Sequence, residues 1–153
     1  MRPIERINNF LKLVDLYKLA DRWKIDFDLF RKMLNGNRYF ELYWQSNPDQ
    51  RFGQVLINLS LIPDSFQAWN DEEDDILAAQ GIPPEQYLYW TSIFNKDGQK
   101  LLEPVTRLIS DLETDHINNI LVDPRLKLSP LYIQVFNNIL QYRQVKEDES
   151  KLL

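Results

Sequence analysis

Along most of the chain, apolar residues return every three or four positions, the period of a helix that buries one side. Ile4, Ile7, Leu11, Val14 and Tyr17 keep that spacing after Pro3, and proline is well tolerated in a first turn. One helix is therefore expected from Pro3 to about Trp23. Asp26 or Asp28 can cap a short second helix through Met33, which Asn35-Gly36-Asn37 ends with residues that accept positive φ. A third helix is expected from Tyr39 to about Gln45. A fourth runs from Arg51 to Ser60, with Phe52, Val55, Leu56 and Leu59 on one stripe, and Pro63 prevents its continuation. Further on, Asn70 reads as the cap of a helix whose first turn holds the acidic run Asp71 to Asp75 and which Gly81 terminates. Acids in that turn interact favourably with the helix dipole. Pro83 and Pro84 open another short helix through about Tyr89.

The period then changes. "YWTSIF" and "KLLEPVTRLI" are rich in aromatic and β-branched residues and flank the turn sequence "NKDGQ". This is a β-hairpin over about 89–109, with Gly98 at the left-handed position and Pro104 marking the second strand as an edge. Two helices, about Leu112–Val122 and Pro130–Val145, complete the chain. The expected architecture is mainly α with one small hairpin: a single domain over 1–145 followed by a frayed tail over 146–153.

Composition narrows the chemistry. The chain has 153 residues, 44% of them hydrophobic, enough for one substantial core. Cysteine is missing, which removes disulfides, thiolate metal sites and cysteine nucleophiles together. No apolar run approaches the ~18–20 residues that span a bilayer, and "MRPIERINNFLKL" lacks the form of a signal peptide. A cytoplasmic protein without a membrane partner is the expectation. The net charge of −5 is unevenly placed: residues 1–40 carry nine Lys/Arg against five Asp/Glu, a balance of +4, and the rest carry nine against eighteen, a balance of −9. The basic residues are spaced along helices rather than clustered, which argues against nucleic acid as the partner.

Two stretches are dense enough to carry a site. "SDLETDHINNIL" holds the chain's one histidine, with Glu113 and His116 spaced to meet on a helix. A carboxylate di-metal centre needs two such pairs and a zincin motif needs two histidines, so a lone Glu-x-x-His falls short of both. A hydrolase triad could use one histidine, but no Gly-x-Ser-x-Gly is present. The expected reading is a helix start, capped by Asp111 or Thr114, with His116 packed between Leu112 and Ile120. Carboxylate pairs elsewhere, Asp26/Asp28 and Glu72/Asp75, read as solvated acids rather than a metal site, and no cofactor is expected. The second stretch is "ELYWQSNPDQRFGQVLINL". Tyr43 and Trp44 precede a turn, and Arg51, Gln54 and Asn58 recur on one helical side, a candidate interaction patch if the aromatics face solvent. The alternative places Tyr43 and Trp44 in the core.

"YWQSNPDQRFGQVLINL" also resembles a pattern in small uncharacterised bacterial and phage proteins, in which an acidic segment follows; here that would be "NDEEDDIL". The span from "YWTSIFNKDGQKLLEPVTRLISDLETDHINNIL" to "SPLYIQVFNNILQYR" resembles a second phage-like pattern of a tryptophan-led hairpin and a closing helix ending in arginine. Together they cover roughly Glu41 to Arg143. The resemblance implies that Arg51, Gln54, Asn58, Trp90, Asp111 and His116 are family positions. It implies no activity, and this chain departs from it by extra residues between its first helix and Tyr43. The expected function is a non-catalytic interaction or adaptor protein with a protein partner, in a bacterial or prophage setting. The rival expectations are an acidic mimic of nucleic acid and a small metal-dependent nuclease or hydrolase built on Glu113, Asp115 and His116.

Overall fold

Apolar stripes too short to bury themselves must pair with neighbours, and the computed structural model resolves how they do so over residues 4–35, 37–95 and 97–152. The fold is mainly α with one hairpin, as the periodicity predicts. It falls into two compact units, Met1–Ile82 and Pro83–Leu153, where the sequence reads as one domain over 1–145.

Among the described residues, seven helices build the first unit: α1 Ile4–Leu13, α2 Leu16–Trp23, α3 Phe27–Leu34, α4 Arg38–Ser46, α5 Phe52–Asn58, α6 Phe66–Asn70 and α7 Glu73–Ala79. The single helix expected to Trp23 is broken at Val14–Asp15. Asp15 turns its carboxylate onto the N–H groups of Tyr17 and Lys18 and so caps a new helix, α2. Gln80 fixes the break: its side-chain carbonyl accepts from the Asp15 N–H at 2.8 Å and its amide donates to the Asp15 carbonyl at 3.0 Å. The "NGN" turn also differs from expectation. Asn35 and Asn37 keep negative φ, −66° and −83°, and Asn37 caps α4; Gly36 lies outside the described residues. Helix α6, capped by Ser65, was not expected, because five residues are too few to show a period. Asn70 ends α6 and does not cap α7.

The interior of this unit is aromatic. Phe10, Trp23, Phe40, Trp44 and Phe52 are all buried, and Phe52 stands against the other four with ring centroids 5.1 to 6.1 Å apart. Helices α5 and α6 cross at Gly53, so closely that a Cβ there would collide with the Ala68 carbonyl oxygen.

The second unit contains the hairpin of β1 Tyr89–Phe94 and β2 Lys100–Leu108, then α8 Thr114–Val122 and α9 Pro130–Lys151. The strands pair antiparallel from Tyr89↔Leu108 to Ser92↔Val105, then slip to Phe94↔Lys100 where Pro104 cannot donate. Gly98 has φ +81°, as the turn requires. Trp90 packs edge-on against Tyr132 and Phe136 of α9. The N-cap of α8 is Glu113, whose side chain makes no capping bond; Asp111 lies in the preceding 3-10 turn and Thr114 is already helical. Neither expected cap therefore acts. Arg143 does the holding instead, donating to the carbonyls of Ser110 and Leu112 at 3.0 and 2.7 Å and to the Thr114 hydroxyl at 3.0 Å. The segment expected to fray continues α9 to Lys151; Leu153 lies outside the described residues.

Gly53→Ala should destabilise the first unit by at least about 2 kcal/mol, because the Ala68 carbonyl in the way is backbone and cannot swing aside. Urea unfolding checks this. A midpoint equal to that of the wild type would mean that α5 and α6 separate at little cost.

Candidate functional site

The stretch from Tyr43 to Asn58 works inward. Trp44 is fully buried and its indole N–H donates to the Gln50 carbonyl at 2.9 Å, so it cannot belong to a surface patch. Gln50, which the sequence reading passed over, gathers the polar residues: its amide donates to the Tyr43 hydroxyl at 3.4 Å and its carbonyl oxygen accepts from Asn58 at 3.0 Å. The Gln54 side chain accepts from the Arg51 N–H at 2.9 Å and closes the start of α5. Arg51 reaches across to Glu72 through its Nε. Tyr43, Arg51, Gln54 and Asn58 are thus brought together, but as the bracing of a turn.

The acidic run divides in the same way. Asp71 precedes α7 and receives two hydrogen bonds from Arg22, at 2.9 and 3.0 Å, and one from the Trp23 indole at 2.7 Å. Glu72 takes Arg51, and Asp74 lies 3.4 Å from Arg6. Burial works against the Asp71 charge, but the Arg22 and Trp23 bonds and the Arg22 charge together outweigh it and hold the carboxyl below its usual range. For Asp74 burial wins over Arg6, and its carboxyl is raised. Dipole satisfaction alone thus does not account for these acids: three of the five tie α7 and its approach to Arg6 of α1, Arg22 of α2 and Arg51 at the N-cap of α5.

In the second unit, Glu113 and Asp115 are exposed while His116 is half-buried, its Nε2 3.4 Å from the Ser92 hydroxyl. Among the described residues no three histidine or carboxylate side chains converge as a metal would need. Leu112 and Ile120 are buried, although Leu112 lies before α8. His116 lines a cleft of about 400 Å³ between β1, α8 and the loop after it, together with Trp90, Phe94, Asn119 and Arg125.

An apolar groove on the first unit is lined by residues outside the candidate patch. Ile25, Leu29, Met33, Ile57, Leu61 and Pro63 line a groove of about 470 Å³ between α3 and the end of α5. A second depression, about 600 Å³, adjoins it; Ile57 and Asp64 line both. Phe66 and Trp69 of α6 border it, with Phe66 86% and Trp69 38% exposed. Asn58 is the one residue of the expected patch that lines it. The groove draws on two stretches distant in sequence, 25–33 and 57–64, so no local pattern announces it.

A carboxyl whose folded pKa lies below its unfolded value adds stability above the unfolded value and loses it as pH falls through the folded one. Asp71→Asn should therefore cost about 2 kcal/mol at pH 7, with the difference from wild type closing as pH falls below about 4. Asp74 is shifted the other way and its charge opposes folding at pH 7, so Asp74→Asn should leave stability unchanged or raise it by under about 0.5 kcal/mol. Thermal unfolding of both variants across pH 3–7 measures the two signs; equal losses would contradict the assignment. No protein-family model, curated protein or solved structure matches the chain, so its reading rests on its own geometry.

Proposed function

We propose that the chain is a non-catalytic interaction protein whose first unit receives an apolar, basic-flanked segment of a protein partner. The observation that carries this is Phe66, 86% exposed, beside a groove walled by Ile25, Leu29, Met33 and Ile57. Leaving a phenylalanine in water forgoes about 2 kcal/mol or more of burial, and contiguous exposed apolar surface is characteristic of binding sites. Asp64 lines both hollows and supplies the charge that favours a lysine or arginine on the incoming segment. A helix with large apolar residues at i, i+3/i+4 and i+7 is the form that fits a groove beside α3. The acids after residue 70 support this reading over mimicry of nucleic acid, because Asp71, Glu72 and Asp74 face arginines of their own unit. No helix among the described residues is long and apolar enough to cross a membrane.

Quantitative affinity purification from the organism that encodes the chain tests the proposal. Proteins retained by the wild type should fall at least tenfold, about 1.4 kcal/mol, with Phe66→Ser or Leu29→Asp. They should persist with Tyr142→Ser, a change at an exposed residue of α9. Retention that ignores both groove substitutions, or that fails equally with Tyr142→Ser, contradicts the groove as the interaction site.

A further inference from the structure

The cleft of the second unit is built differently from the groove of the first. Alternation along β1 sends Trp90, Ser92 and Phe94 to one face. Trp90 meets α9, Ser92 meets His116 of α8, and the Phe94 ring lies under the Arg125 guanidinium, 5.8 Å from its centroid. Arg125 is held in place. Asp123 accepts from its Nε at 3.0 Å, from its terminal nitrogen at 2.9 Å and from its backbone N–H at 2.9 Å. The guanidinium charge is thereby paired with Asp123 within the loop, and the guanidinium lies over the Phe94 ring. Lining the cleft beside it are hydrogen-bonding groups: the Ser92 hydroxyl, the His116 ring and the Asn119 amide.

We infer that this cleft binds a planar, uncharged nitrogen heterocycle of the nucleobase type. Flat rings stack on aromatic side chains and on guanidinium planes, and an asparagine amide pairs a donor and an acceptor with the edge of such a ring. The volume of about 400 Å³ lies within the range of small-ligand pockets. An anionic ligand is disfavoured, since the Asp123 carboxylate lines the cleft and already pairs with Arg125. The ring could arrive as a free nucleoside or as a base of a single strand. Residues 83–153 carry eight Lys/Arg and ten Asp/Glu, a balance of −2, which gives phosphate backbones no electrostatic attraction. The free nucleoside is the occupant.

Isothermal calorimetry on the full chain tests this with adenosine, guanosine, cytidine and uridine, and with single-stranded heptanucleotides of the same bases. At least one nucleoside should bind saturably with Kd below about 1 mM. Phe94→Ala and Asn119→Leu should each weaken it at least tenfold while the circular dichroism spectrum stays that of the wild type. If instead the heptanucleotide binds more than tenfold tighter and weakens steeply with salt, the heterocycle assignment stands and its source is a strand. Absence of binding by every nucleoside and oligonucleotide at about 5 mM overturns the inference, as does binding that both substitutions leave unchanged. Since Phe94 and Asn119 belong to the second unit, this outcome is independent of the groove in the first.

Discussion

Phe52 is the residue on which the first unit turns. It is fully buried at the start of α5, and its ring touches Phe10 of α1, Trp23 of α2, and Phe40 and Trp44 of α4. Helices of seven to ten residues are marginal in isolation, so their stability must come from packing. One side chain shared by four helices makes that packing cooperative. The adjoining residue adds a second constraint: because Gly53 has no side chain, α6 can approach α5 backbone to backbone, which places Phe66 and Trp69 at the edge of the groove.

Around this aromatic interior the polar residues form ties between distant segments. Arg22 and Trp23 reach Asp71, Arg51 reaches Glu72, Arg6 reaches Asp74, and Gln80 holds both backbone groups of Asp15. Each tie joins α1, α2 or α5 to the stretch around α7. The basic first forty residues and the acidic remainder therefore meet partly within this unit. Arg6 and Arg22 of the basic segment help to dock α7.

Much of the fold was legible because the evidence for it is local. The cap Asp26, the hairpin turn at Gly98 and the stop at Gly81 each lie within a few residues of what they control. The break at Asp15 was not, since an unbroken helical period runs through it and the amide that fixes it is 65 residues away. The site was less legible still. Trp44 and Arg51 invite a surface reading because they are large and adjacent in sequence to polar residues, yet one fills the core and the other braces a turn. Ile25, Met33, Ile57 and Phe66 look like ordinary core positions, and only the tertiary fold exposes them as the walls and rim of a groove.

If Phe52 holds the four helices together, loosening it should release them as one. Hydrogen–deuterium exchange on Phe52→Leu measures this, because the leucine keeps the site apolar while removing the ring contacts. The account predicts that amides of α1, α2, α4 and α5 lose protection together and by similar factors, while those of α9 are unchanged. Loss confined to α5, with α1 and α2 as protected as in the wild type, would contradict it.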